Sequence, residues 1–158
     1  MTDTTLTFTR DLTASANAVW RCWSEPELLR KWFAPKPVVT SHAEIDARPG
    51  GRFDTTMQVP GMEEPMSGEG CIIAAEPGRR IAFTNMMKAD FQPQDTSGPG
   101  EFPFTAEMII EPRDTGCRYT VIVRHLTEKD TEAHKAMGFF DGWGTAATQM
   151  DELAVTLD

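Results

Sequence analysis

Leu6, Phe8 and Arg10 alternate with Thr5, Thr7 and Thr9, and a period of two with branched residues on one side predicts a first β-strand at a sheet edge. From Ala16 the period changes. Ala16, Val19 and Trp23 share one helical face, and Ser15 can accept a bond from an otherwise unpaired first-turn amide, so a helix starts here. Pro26 stops it or starts the next. Ser24-Glu25-Pro26-Glu27 offers a capping serine and a reciprocal glutamate for a second short helix carrying Leu28, Leu29 and Trp32, which Pro35 and Pro37 end.

Short strands punctuated by turns come next: 38–45, 51–57, 68–73, 79–85 and 102–111. Their separators are Pro49-Gly50-Gly51, the stretch from Pro60-Gly61 to Pro65, and Pro77-Gly78, where glycine supplies positive φ and proline fixes its own. Connections this short make hairpins, because a parallel return needs a dozen or more residues. In the last of these strands Phe102, Phe104, Ala106, Met108 and Ile110 fall on one face. After a turn at Arg113-Asp114-Thr115-Gly116 a further strand repeats the pattern, with Cys117, Tyr119, Val121 and Val123 on the inward side. Residues 87–101, rich in proline and glycine, predict no regular element and a mobile loop, either a lid or a long connection.

Thr127-Glu128-Lys129-Asp130 resembles a capping box, and helical periodicity continues from there to the end. Phe140, Trp143, Ala147, Met150, Ala154 and Leu157 recur every three or four residues, a stripe that the inward sheet face must cover. Gly138, Gly142 and Gly144 weaken the early part, so the continuous helix is expected from Phe139 after a short turn or kink, and it spans roughly 28 Å at 1.5 Å per residue. The fold class is α+β: about six or seven antiparallel strands curled around a long C-terminal helix, in one domain over 1–158.

Composition narrows the function. A net charge of -9 disfavours phosphate backbones and anionic lipid, so neither nucleic acid nor membrane is expected as a partner. Cys22, Cys71 and Cys117 lack C-x-x-C spacing and read as small buried hydrophobes in a reduced, cytoplasmic protein. The N-terminal residues show neither a signal peptide nor an anchor, and no window approaches a membrane span. His42, His125 and His134 fall in no metal-ligand spacing, so no metal and no cofactor are expected. A nucleophile elbow, a Walker loop and a dinucleotide fingerprint are all missing from the sequence.

Several short motifs occur in a telling order: Ala14 and Val19-Trp20; Pro26-Glu27-Leu28-Leu29 with Trp32-Phe33-Ala34-Pro35; Gly50-Gly51-Arg52-Phe53; Gly68-Glu69-Gly70 before Glu76-Pro77-Gly78-Arg79; and Gly138-Phe139-Phe140-Asp141-Gly142-Trp143. Together they resemble the START-like (Bet v 1-like, polyketide-cyclase-like) superfamily, and within it the family named for the C-terminal domain of the activator of Hsp90 ATPase. The resemblance covers nearly the whole chain. It implies a helix-grip fold, with two small helices and a long C-terminal helix on a curved sheet, and an internal cavity or groove. It implies no single activity, because such folds serve carriers, cyclases, hydrolases and chaperone-binding domains. Ser15 stands where many relatives have proline, and the loop over 87–101 is unusually rich in proline and glycine.

The function expected is binding of a small apolar or aromatic molecule between sheet and terminal helix. The alternatives are a protein-interaction module of the Hsp90-activator type and a cavity enzyme of cyclase, dehydratase or hydrolase kind, in a monomer or homodimer. The residues expected to line the cavity are Trp32, Phe83, Phe104, Met108, Tyr119, Val121, His125, Phe140, Trp143, Ala147 and Met150. Ala147 carries most weight, since a small side chain between Trp143 and Met150 leaves room. No residue is assigned a catalytic role. For His125 two placements stay open: a polar group offered inward, continuing the parity of Cys117 to Val123, or a solvated strand end. Glu69 and Glu107 read as strand carboxylates facing water, with proton transfer open to them only on burial.

Overall fold

The computed structural model describes residues 3–158. Among these residues are nine strands and four helices, in the order β1 (Thr5–Leu12), α1 (Ala16–Ser24), α2 (Pro26–Leu29), β2 (Val39–Ile45), β3 (Arg52–Gln58), β4 (Met66–Glu76), β5 (Arg80–Thr84), β6 (Met87–Lys88), β7 (Gln92–Pro93), β8 (Phe104–Pro112), β9 (Cys117–His125), α3 (Glu128–Ala136) and α4 (Phe139–Ala154). A 3-10 turn, Val155–Leu157, extends α4. Seven strands form one antiparallel sheet in the order β1-β9-β8-β5-β4-β3-β2. The sheet curves around α4, which is the helix-grip arrangement.

β1 lies at one edge as its threonine alternation predicts, paired to β9 from Thr5 opposite Arg124 to Leu12 opposite Cys117. Ala106, Met108 and Ile110 of β8 and Cys117, Tyr119, Val121, Val123 and His125 of β9 all point inward and are buried. Their core is aromatic. Trp23 of α1 sits among Trp32, Phe33, Phe53, Phe83 and Trp143, with ring centroids 4.9 to 6.4 Å away, while Phe53 and Phe83 stack at 4.0 Å. The Trp23 indole N–H donates to the Tyr119 hydroxyl at 3.1 Å, so both buried polar tips are satisfied.

Side chains of β1 and α4 fix the terminal helix. Arg10 of β1 donates to the Gly144 carbonyl at 2.7 Å and to Thr148 Oγ1 at 2.8 Å. Asp151 accepts from the backbone amides of Thr13 and Ala14, and Asp158 accepts from the amide and hydroxyl of Ser15. The Ser15 oxygen in turn caps α1 by accepting from the Ala18 amide at 3.1 Å, as expected from its place in the sequence.

Four expectations need correction. Glu25, not Ser24, is the N-cap of α2; its carboxylate turns back to Arg21 at 2.6 Å, and Pro26 alone starts a helix of four residues. The strands β4 and β8 run to Glu76 and Pro112, beyond the expected ends, because pairing with β5 and β9 continues through those residues. The segment 87–101 holds a two-stranded hairpin, β6 with β7, turned by Asp90 and Phe91 at positive φ; Phe91 packs over Gly50, where a side chain would meet its ring. Phe140 is 44% exposed, and Phe139 takes the buried place at the head of the stripe, since α4 starts at Phe139 and its phase runs through 139, 143, 146 and 147, and 150.

Candidate functional site

Where α4 leaves the sheet's grip, a groove of about 420 Å³ opens between its first turns and the segment that follows α2. Trp32, Phe33, Pro35 and Val38 form one wall; Met57, Val59 and Met66 of the β3–β4 hairpin form the second; Met137, Phe139, Trp143 and Ala146 form the floor and far side. Gln149 holds the first wall in place. Its amide donates to the Trp32 and Ala34 carbonyls at 3.0 and 2.8 Å and its oxygen accepts from the Lys36 amide at 3.0 Å, so α4 carries the wall with it.

One titratable side chain lines this groove, His134 of α3. Thr127 caps α3 by accepting from the Asp130 amide, and after Ala136 the chain turns through Gly138 in the left-handed region (φ 92°) into α4. The turn stacks the His134 ring edge-on against Phe139 at 5.1 Å, with Phe102 at 5.1 Å beside it. His134 Nδ1 meets His125 Nε2 at 2.9 Å, and His125 Nδ1 meets the Thr4 carbonyl at 3.0 Å. Burial, and next the neighbouring His125 ring, push the His134 pKa down to about 4, so its imidazole is neutral near pH 7.

Two other depressions carry less chemistry. The one of about 520 Å³ over Glu44, Asp46, Arg48 and Arg52 is lined by charges that pair with each other or a neighbour, Arg48 with Asp46 at 2.7 Å and Arg52 with Asp54 at 2.8 Å. The other, about 230 Å³ beside Arg10 and Thr148, surrounds a guanidinium already bonded to α4. Among the described residues no three His, Cys, Asp or Glu side chains converge as a metal would require, and no helix is long and apolar enough to cross a membrane.

Of the residues expected to line a cavity, Trp32 and Trp143 lie on the groove. Phe83, Met108, Tyr119, Val121 and Met150 are buried in the core, Phe104 is half-buried against Phe83 and His134, and Phe140 faces out. Ala147 is also in the core, 1% exposed, and the neighbouring Ala146 faces the groove instead. His125 is 8% exposed, which excludes the solvated strand end; it stands behind His134. Glu69 is exposed, whereas Glu107 is held by Arg80 at 2.5 Å and Arg124 at 2.9 Å, an arrangement that keeps its carboxyl below the usual range and ionised. Sequence reading missed Phe33, the methionines 57, 66 and 137, and His134. Only the run Trp32-Phe33 beside Pro35 carried a signal for any of them.

Residues 13–154 match the family model described as Activator of Hsp90 ATPase homolog 1-like protein. The chain belongs to that family. A solved structure from Nitrosomonas europaea is 36% identical, covers 97% of this chain and 95% of its own, and superposes with a TM-score of 0.90. Proteins from Rhodobacter sphaeroides (20% identical, 97% and 93% covered, TM-score 0.81) and Mycobacterium smegmatis (24%, 98% and 92%, 0.78) share the fold. No curated protein matches the chain. Membership in the Activator of Hsp90 ATPase homolog 1-like family therefore establishes the helix-grip scaffold, and the groove has to be interpreted from its own residues.

Proposed function

We propose that this chain binds a small apolar or aromatic molecule in the groove between α4 and the segment after α2. The observation that carries this reading is a concavity of about 420 Å³ walled by Trp32, Phe33, Phe139, Trp143 and three methionines, into which a single neutral imidazole faces. Flat rings fit between indoles and phenyls, and methionine thioethers adapt to irregular outlines. A ligand burying about 300 Å² of apolar surface gains roughly 7 kcal/mol gross, and after the cost of immobilising it micromolar affinity is reasonable. The three free, buried cysteines support a cytoplasmic, reducing location for such a protein.

A protein partner is the second reading, favoured by Met66 and Met137, which are 49% and 68% exposed at the groove mouth. The test titrates Nile red, an uncharged polarity-sensitive dye, into wild type and Ala146→Trp and records both melting curves. Wild type is expected to bind saturably at micromolar levels. Ala146→Trp should lose about tenfold or more in affinity while melting within a few degrees of wild type, since the indole projects into open space. Absence of saturable binding by wild type, or equal binding by both, defeats the small-molecule reading and leaves the mouth methionines to a protein.

A further inference from the structure

We propose that His134 Nε2 is a fixed hydrogen-bond acceptor in the groove, selecting aromatic molecules that carry a hydroxyl or N–H donor. This rests on the groove being the ligand site, and adds the polar specificity that an apolar wall cannot supply.

A backbone carbonyl only accepts, so the 3.0 Å contact between Thr4 oxygen and His125 Nδ1 puts the proton on Nδ1. With that proton placed, Nε2 of a neutral His125 can only accept. The 2.9 Å contact to His134 then requires His134 Nδ1 to be the donor, and the lone pair of a neutral His134 is left on Nε2. Nε2 makes no hydrogen bond to any described residue, and the buried side-chain polar atoms without a partner are Thr40 Oγ1 and Asp54 Oδ1, so Nε2 remains accessible. The carbonyl thus dictates, two rings away, that the groove presents an acceptor and not a donor.

The surroundings sharpen the selection. Phe102 and Phe139 flank the imidazole at 5.1 Å, so on those sides its neighbours are apolar rings that offer no competing donor. The Trp32 indole N–H is already committed to the Cys22 carbonyl at 3.0 Å. A lone pair in an apolar setting repels a carboxylate or phenolate and welcomes a neutral phenol, naphthol or indole, because such a donor regains in the groove the hydrogen bond it gave up in water. The ligand class inferred is a flat, uncharged aromatic molecule with one donor.

Equilibrium dialysis of the full chain against 1-naphthol and 1-methylnaphthalene, near-isosteres differing by the donor, tests this at neutral pH. In wild type both bind. In His134→Phe the affinity for 1-methylnaphthalene is expected to stay within about twofold, while the preference for 1-naphthol relative to it falls about five- to tenfold, the worth of one neutral hydrogen bond. An unchanged preference overturns the acceptor and leaves the groove reading intact. If neither probe binds wild type, both readings fall. Nitrogen-15 NMR of the imidazoles gives an answer that needs no variant: both His125 and His134 should be Nδ1–H tautomers, and the His134 Nε2 resonance should move on saturation with 1-naphthol. An Nε2–H tautomer on His134, or an Nε2 resonance indifferent to naphthol, overturns the proposal.

Discussion

His134 couples the groove to acid stability. Its pKa is lowered from 6.5 to about 4 in the folded chain, chiefly by burial, so the unfolded chain binds a proton that the folded chain refuses. The favourable contribution of the neutral ring is therefore complete above pH 6.5 and is lost as pH falls toward about 4. Carboxylates held low by ion pairs, Glu107 by Arg80 and Glu25 by Arg21, also lose stability in acid, but their window starts lower. Urea unfolding of wild type and His134→Phe between about pH 7.5 and 5 separates the two, because carboxylates stay mostly ionised there. Wild type should lose stability on descending that range, and His134→Phe should show a flatter profile. Equal slopes would mean that the ring is solvated.

Among the elements, the joint between α3 and α4 decides where His134 and Phe139 meet. Gly138 adopts φ 92° there, and a β-carbon added to it would meet nothing within 4 Å. The cost of Gly138→Ala is therefore conformational and not steric, about 1 kcal/mol, and should appear in the urea midpoint. Straightening the joint into one helix would swing Phe139 off the His134 ring, so the same variant should also weaken Nile red binding. A variant as stable as wild type would show that the left-handed turn is not required. A second joint, across the sheet, is made by Glu107. From β8 it accepts from Arg80 on β5 and Arg124 on β9, tying three neighbouring strands on the face away from α4.

For the whole molecule, the core and the groove are adjacent yet energetically distinct, and two consecutive alanines report on each. Ala147 is 1% exposed in a filled core, so Ala147→Trp should overpack it and cost about 1 to 3 kcal/mol or more, a fall in melting temperature that Ala146→Trp does not share. Should both tryptophans be tolerated alike, the core would have unfilled room behind the groove. At the surface the net charge of -9 predicts that short DNA and RNA do not bind; fluorescence anisotropy at about 0.15 M salt should stay flat, and micromolar saturation would contradict it.

Periodicity along the chain determined the seven strands of the main sheet, the two-part C-terminal helix and the inward faces of β8 and β9, though not the β6–β7 hairpin, because side-chain direction alternates locally and a buried face must be apolar at every second residue. Caps at Ser15 and Thr127 were legible for the same reason: a hydroxyl and the amide it accepts from lie three residues apart. What the sequence could not fix was which apolar residues face a void and which face each other. Phe53 and Phe83 stack across the sheet's inner face and fill the centre, so Phe83, Tyr119 and Ala147 became core, while the opening moved to Ala146, Phe33 and the methionines. The turn at Gly138 alone set the phase that buries Phe139 and exposes Phe140. His134 showed nothing in the sequence, since its meaning comes from His125 on another element and from the carbonyl of Thr4, 121 residues from His125. Volume and hydrogen-bond direction are properties of side chains brought together from distant positions, and only the tertiary structure decides them.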